Sequence, residues 1–406
     1  MDERALEVKR LREERKAAKR ERRKQKGLPE EPAPPTPLPP PKPLSRSFQR
    51  VPYKRKLANL AGHFTVMTYN ILAQALIKRE LFPHSGDLLK WKTRRKMVMD
   101  EITMYKPDIL CLQEVDMYEE FYESQFSKLG YKTLFYKHST KKHGCMIGYQ
   151  AGQFTLAENR NFDYDTDDLC PVTQNTGNIM QLAALKHVHQ QHLGVVVGNT
   201  HLYWRPQSSY ERLRQGAIYN RKLSQFRKEL AETHGQTQWH ALMLGDFNST
   251  PTDPLYAKMV GLELTDFHMQ DLQMSRRAFS QDEDETSVSA FADRSEEEEQ
   301  EPRDDLIPVD ELLSYFKDIP KWKSVYQCYA QLDNSMSDGL GEPRFTNYAE
   351  VFQGTLDYIF VEDTSVTLAA SEILMLPKED DLKPALPNKN YGSDHLCLLA
   401  KLDFGE

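Results

Sequence analysis

The sequence has little cysteine and no long apolar run. Five cysteines, at 111, 145, 170, 328 and 397, are scattered through 406 residues with no C-x-x-C pair. An odd, dispersed set excludes a disulfide framework and a cysteine-built zinc knuckle. It fits a reducing compartment in which thiols serve as small buried hydrophobes. No stretch of 18 or more apolar residues occurs, so neither a membrane-spanning helix nor a membrane partner is expected. The first residues are charged where a secretory signal would be apolar, which predicts a non-secreted protein. Their acids, among them Asp2, Glu3, Glu7, Glu13, Glu14 and Glu21, do not suit a mitochondrial presequence. No internal repeat is visible.

Positive charge is missing where a charge-driven nucleic-acid binder needs it. Residues 1–60 hold 18 Lys/Arg against 8 Asp/Glu, and residues 281–305 hold 12 acids against 2 bases. The remaining body is net acidic. Binding of nucleic acid by charge alone demands a basic surface. A body like this one would need bound metal ions, a local basic patch and base stacking instead.

Composition divides the chain. Residues 1–28 read as a basic tail, helical or disordered, with the dense run Lys19-Arg20-Glu21-Arg22-Arg23-Lys24-Gln25-Lys26. Such a run suits nuclear targeting, RNA contact or recruitment of a protein partner, and equally a plain solvated tail. A nuclear, nucleolar or cytoplasmic location is expected. Residues 29–60 read as a proline-rich linker, with nine prolines between 29 and 43, hence a semi-rigid spacer. Residues 61–406 read as one catalytic domain, long enough to bury a core without staples. An acidic, disordered insertion interrupts it at about 276–306.

Apolar patterning predicts strands at 64–70, 108–114, 131–137, 145–150, 179–188, 194–203, 240–247, 355–361 and 396–404, and helices at 88–105, 118–129, 210–232 and 308–316. Helices interleave with strands, yet several strands follow one another directly. That is an α/β fold with mixed sheets, not a regular doubly wound one.

The chemistry gathers where these strands end. Asn70 and Glu114 end the first two strands, His201 follows an apolar run, and Asp246 and Asn248 sit in Gly245-Asp246-Phe247-Asn248-Ser249. Asp357 lies in Thr355-Leu356-Asp357-Tyr358-Ile359, and Asp394 and His395 open the last strand. A carboxylate beside a buried core is costly unless it is paired or binds metal. Asp246 and Asn248 point to one side if the chain stays extended. Oxygen ligands without cysteine suit Mg²⁺ or Mn²⁺ better than Zn²⁺. His395 can touch a phosphate or a water while Asp357 holds its other ring nitrogen. Together these residues make a metal-dependent phosphoryl hydrolase that needs no covalent nucleophile.

Five segments resemble, in order, the exonuclease–endonuclease–phosphatase superfamily: Thr68-Tyr69-Asn70-Ile71-Leu72-Ala73, Leu112-Gln113-Glu114-Val115, Asn199-Thr200-His201-Leu202-Tyr203-Trp204, Gly245-Asp246-Phe247-Asn248-Ser249 and Ser393-Asp394-His395. The deadenylase-like branch, with nocturnin, Angel and the fungal Ngl-type RNA exonucleases, is the nearer likeness. It rests on Tyr203-Trp204-Arg205-Pro206, Arg344-Phe345-Thr346-Asn347-Tyr348 and Leu386-Pro387-Asn388. The resemblance implies a two-sheet α/β sandwich. It implies that Glu114, with Asn70 beside it, holds metal, while Asp246 and Asn248 arrange a second metal site and the attacking water. His201 and His395 would contact the scissile phosphate, Asp357 would orient His395, and Asp394 would support the metal cluster. Pro206 and Phe352 would clamp a base, with Arg205 and Asn347 as further substrate contacts. No leucine-rich repeats are present, so no tether to the major deadenylase complex is expected. The expected activity is a Mg²⁺-dependent 3′→5′ RNA exonuclease acting on poly(A) or on precursor RNA such as ribosomal RNA. The alternatives are a phosphatase on a nucleotide or RNA terminal phosphate, and a non-catalytic RNA-binding adaptor.

Overall fold

The computed structural model of the chain describes residues 41–52, 60–167, 171–172, 174–276, 305–317, 319–363 and 367–405, with Arg10 and Glu14 standing alone before them. Two compact units result, Met1–Pro40 and Pro41–Glu406. In the first, Arg10 and Glu14 form an exposed ion pair at 3.4 Å. The remainder of the tail, residues 29–40 of the linker and residues 277–304 of the acidic insertion lie outside the described residues.

In chain order the strands are β1 (Phe48–Arg50), β2 (Leu60–Asn70), β3 (Ile109–Val115), β4 (Tyr131–Tyr136), β5 (Gly144–Gln150), β6 (Phe154–Asp163), β7 (Ile179–His187), β8 (Leu193–His201), β9 (Gln238–Asp246), β10 (Trp322–Ser324), β11 (Asn347–Tyr348), β12 (Gln353–Gly354), β13 (Asp357–Glu362), β14 (Leu368–Leu374) and β15 (Leu398–Gly405). The main helices are α1 (Trp91–Tyr105), α2 (Glu123–Lys128), α3 (Ser209–Thr233), α4 (Pro254–Val260), α5 (Asp266–Ser275) and α6 (Val309–Ser314). One sheet runs β1-β14-β15-β2-β3-β5-β4, the other β10-β13-β9-β8-β7-β6, and β11-β12 form a short ribbon. Each large sheet has one internal parallel pair, β2/β3 and β8/β9, among antiparallel neighbours. This is the mixed α/β sandwich expected.

Alternation along the strands explains the layering. On β3, Ile109 and Cys111 face the space between the sheets and meet Val195, Val197, Leu242 and Leu244 of the other sheet. Leu110 and Leu112 face outward and pack on Val98 and Ile102 of α1. On the far side Leu182, Val196 and Met243 pack under Leu213, Ala217 and Phe226 of α3. Strands buried on both faces read as continuous apolar runs, which is why the sequence shows them clearly. Cys111, Cys145, Cys328 and Cys397 are free thiols and buried; Cys170 lies outside the described residues. Among the described residues no helix is long and apolar enough to cross a membrane.

The structure differs from the sequence expectation at several elements. The edge strand β6 has a half-exposed, polar sequence, FTLAENRNFD, that carries little apolar signal. Helices α4 and α5 were likewise not expected. The linker boundary at 60 also shifts, because β1 pairs with β14. Arg46 is buried there, donating to Glu101 Oε1 at 3.1 Å and to the Cys397 carbonyl at 3.1 Å. A buried ion pair between residues 55 apart has no local signature. At the insertion, Arg276 Nε donates to the Ile307 carbonyl at 3.0 Å, bringing its two ends together.

One buried acid sets a pH dependence of stability. Glu342 is fully buried, and Tyr256 donates its hydroxyl to it at 2.7 Å. Burial pushes Glu342 up to about 7 from 4.5. An acid raised on folding takes stability away as it ionises, so the loss begins above the unfolded value and is complete above the folded one. Glu342→Gln is therefore expected to raise the melting temperature at pH 8.5 by roughly 5 °C and to leave it unchanged at pH 4. Equal shifts at both pH values in scanning calorimetry would refute this assignment.

Candidate active site

Register places three side chains in one row. The last residues of β8 and β9 are paired, His201 with Asp246, and Asp246 faces Asp357, the first residue of β13. On the other sheet β2 ends at Asn70 opposite Gln113 of β3, with Glu114 next. The two rims are tied together just beneath these residues. Gln113 Nε2 donates to Asn199 Oδ1 at 2.8 Å, and Asn199 Nδ2 donates to the Leu112 and Met146 carbonyls at 3.0 and 3.1 Å. Hydrogen bonds made by these two fully buried amides tie the rim that carries Glu114 to the rim that carries His201.

The backbone is bent to aim the ligands. Glu114 has φ +56° and Asn248 φ +46°. Such left-handed conformations are uncommon outside glycine and cost on the order of 1 kcal/mol or more for a residue such as Glu. The β3–β5 register shifts between Leu112 and Val115, so Glu114 occupies a bulge. Gly245 is needed before Asp246: a Cβ there would lie 2.2 Å from the Thr200 carbonyl oxygen. The chain does not stay extended past Asp246. Instead the Asn248 amide N–H donates to Asp246 Oδ1 at 2.9 Å and turns the loop, and both side chains still face the same cavity.

Asn70 is the hub of the acids. Its Nδ2 donates to Glu114 Oε1 and to Asp246 Oδ2, both at 2.9 Å, while its Oδ1 accepts from the Leu72 amide at 3.0 Å. Glu114 Oε2 also accepts from the Ala73 amide at 2.9 Å. Burial pushes Glu114 up, but His201, His143 and the bonds from Asn70 and Ala73 outweigh it and hold the carboxyl below its ordinary value. Asp246 is raised by burial and by Asp357, against the opposing pull of His395 and His201. Asp394 is raised by burial and by Glu114.

The second group is a His–Asp pair. His395 Nδ1 lies 2.8 Å from Asp357 Oδ2, and its Nε2 is 3.6 Å from Asp246 Oδ2. His201 Nε2 is also 3.6 Å from Asp246 Oδ2. The Thr346 hydroxyl accepts from the Leu356 and Asp357 amides at 2.9 and 3.0 Å, so its single proton is committed to Asp357 Oδ2 at 2.6 Å. Asp357 Oδ2 is thus the acceptor shared by the Thr346 hydroxyl and the Nδ1–H of His395. Burial alone would lower His395, but Asp357 and Asp246 raise it well above its ordinary value.

Around these groups lies a cavity of about 340 Å³. Its wall includes Glu114, His201, Asp246, Asn248, Asp394 and His395, and with them the apolar side chains of Pro206, Phe352, Leu72, Leu76 and Phe82 and the amide of Asn347. Asn70 and Asp357 stand behind this wall and hold the groups that form it. Arg205 departs from expectation. It is buried, its guanidinium sits 5.9 Å from the Trp204 ring, and it does not line the cavity. Arg212 lines it instead. Arg94, also unforeseen, donates to the carbonyls of Ile71, Leu72 and Gly392, binding the loops after Asn70 and before Asp394. In the sequence Arg94 stands in Lys92-Thr93-Arg94-Arg95-Lys96, which reads as a solvated helix face.

The residues present fit a divalent cation. Glu114, Asp246 and Asp394 share one cavity wall, and repulsion between buried carboxylates is relieved by a cation. All the candidate donors are carboxylate or amide oxygens, which suits a hard ion. Asp246, Asp357 and His395 also bring ligand-type atoms within 4.8 Å of one another. The bond between His395 Nδ1 and Asp357 Oδ2 already occupies two of them, so the Glu114 side is the better metal locus.

Comparisons with known proteins bear on the family and the fold. A model of the Endonuclease/Exonuclease/phosphatase family matches residues 67–395. The chain is 32% identical over 384 residues to a Schizosaccharomyces pombe protein named a probable RNA exonuclease, covering 83% of this chain and 75% of that one. It is 29% identical over 407 residues to the RNA exonuclease NGL2 of Saccharomyces cerevisiae, covering 84% and 78%. Among solved structures, ANGEL2, a 2′,3′-cyclic phosphatase, aligns with a TM-score of 0.66 and 25% identity over 89% of this chain and 98% of that one.

Proposed function

We infer the function from one premise: the chain belongs to the Endonuclease/Exonuclease/phosphatase family, and it acts as a metal-dependent 3′→5′ RNA exonuclease. The observation that carries the reading is the cavity wall, which combines the acids and imidazoles of the cluster with apolar side chains that include Pro206 and Phe352. The polar groups suit a phosphate and the apolar ones a stacked base, without the basic surface that the body lacks. The RNA exonuclease names of the fungal relatives support the substrate class.

Mg²⁺, or Mn²⁺, suits the oxygen donors, and when bound it would supply charge neutralisation at the phosphate. Glu114 would hold it, with Asn70 locking the carboxylate in place. Asp246 and Asn248 would arrange a second metal site and the attacking water. His201 and His395 donate to the phosphate oxygens, the latter through Nε2 because Asp357 occupies Nδ1. Asp394 adds negative charge at the metal end. The basic run Lys19–Lys26 supports a nuclear or nucleolar site and a structural-RNA precursor as target.

The test is incubation of purified protein with 5′-labelled poly(A) and with mixed-sequence RNA, with Mg²⁺ and with chelator. Stepwise shortening that stops on chelation and returns with Mg²⁺ is expected, with mononucleotides as product. Shortening of poly(A) alone marks a deadenylase, and shortening of both marks a general trimming enzyme. A second reading, phosphatase action on a nucleotide or RNA terminus, draws support from the likeness to ANGEL2. Release of inorganic phosphate with the oligomer length unchanged would establish it and refute the exonuclease.

A further inference from the structure

The cavity wall also holds a cationic group that the chemistry above does not use. Arg212, in the first turn of α3, is 3% exposed and lines the cavity together with Thr250 and Asp253. Its guanidinium donates to the carbonyl of Arg205 and, at 2.8 Å, to the carbonyl of Pro206. The same group lies 3.9 Å from Asp253 Oδ2, which accepts the Thr250 amide at 2.9 Å. The loop that carries Asn248 and the loop that carries Pro206 are thus joined through one buried cation.

Burying a guanidinium is costly unless its partners offset the loss of water, so its placement calls for a reason. Pro206 supplies one. The residue is exposed and has no amide proton, so its carbonyl is its remaining main-chain handle, and Arg212 holds that handle. The other side chain of the expected base clamp is Phe352, on the same cavity wall, and it is fixed differently. The Phe352 ring lies over Gly354, where a Cβ would approach Cζ to 2.6 Å. One jaw is therefore set by packing on a glycine and the other by a fork of N–H donors. A lysine has no such fork.

We propose that Arg212 is the positioning residue that sets the slot between Pro206 and Phe352, and so fixes how tightly the base at the substrate's end is held. The proposal rests on the base-clamp reading of these two residues. Holding the jaws before substrate arrives removes an ordering cost that binding would otherwise carry. The effect should appear only on substrates that present a base.

The experiment compares an RNA oligomer ending in adenosine with the same oligomer ending in an abasic ribose. In the wild-type protein KM is lower for the base-bearing end. In Arg212→Met that preference is expected to fall by about 10-fold, the scale of one stacking contact, and in Arg212→Lys by less. If Arg212→Met does not fold, as judged by thermal melting, Arg212→Lys carries the test alone. A KM that rises equally on both substrates, or a preference left intact, overturns the proposal. Phe352→Ala separates the two levels. A preference that survives in Phe352→Ala sinks the base clamp itself, whereas its loss there, with Arg212→Met unaltered, sinks only the role of Arg212.

Discussion

Asp246→Ala and Glu114→Ala each lower RNA hydrolysis by at least about 10²-fold, the scale expected for loss of a main charge-stabilising group. Asp246 stands at the crossing of every element of the site. It pairs in register with His201 and Asp357, accepts from Asn70 and the Asn248 amide, and faces both imidazoles at 3.6 Å. The loss should not be one of folding. The Asp246 carboxyl is raised by burial and by Asp357, so its ionised form weakens the metal-free fold, and that penalty begins above the unfolded value and is complete above the folded one. The isosteric Asp246→Asn should therefore melt at or above the wild-type temperature at pH 8 in chelator while remaining inactive. Full turnover in both alanine variants would remove the assigned site. A large fall in melting temperature in the asparagine variant would mean that the carboxylate serves the fold instead.

Asp357→Asn is expected to lower turnover by about 10²-fold or more, within the range for a disrupted proton-handling group. The carboxylate keeps the Nδ1 proton on His395 and raises that imidazole well above its ordinary value. The sign follows directly. A raised histidine stays protonated to higher pH, and the stabilisation from its partner is complete below the unfolded value of about 6.5 and lost as pH rises through the folded value. In the asparagine variant the alkaline limb of the pH–rate profile should move to lower pH, because His395 loses its proton earlier. The Thr346 hydroxyl, directed at the same oxygen, supports the same state. An unmoved alkaline limb with normal turnover would show that Asp357 does not govern His395.

Both tests address residues that stood out before any fold was known, because each sits where an apolar run stops. The runs 109–112, 195–197 and 242–244 are buried on both faces, so their apolar character is continuous and their polar ends are conspicuous. Elements with one wet face were harder to see. Strand β6 alternates too weakly, and β1 is three residues long. Arg205 and Arg212 show the limit within the site. Both are arginines near one loop, and nothing in their spacing tells which turns toward the cavity. The answer depends on carbonyls and carboxylates contributed by other loops.

The sequence by itself determined the α/β class, the oxygen-rich donor set and the ends of the strands that carry it, because these depend on short-range periodicity and side-chain chemistry. Tertiary structure alone decided how those ends are spaced. The Asn70 bridge between Glu114 and Asp246 joins residues 44 and 176 positions away, and the Ser393 hydroxyl reaches the Asn70 carbonyl across 323. It also decided that residues 46–50 belong to the body and that Arg94 and Arg212 hold the loops. The physical reason is that a buried donor finds its acceptor through the packing of sheets and helices, and no local pattern encodes a partner that distant.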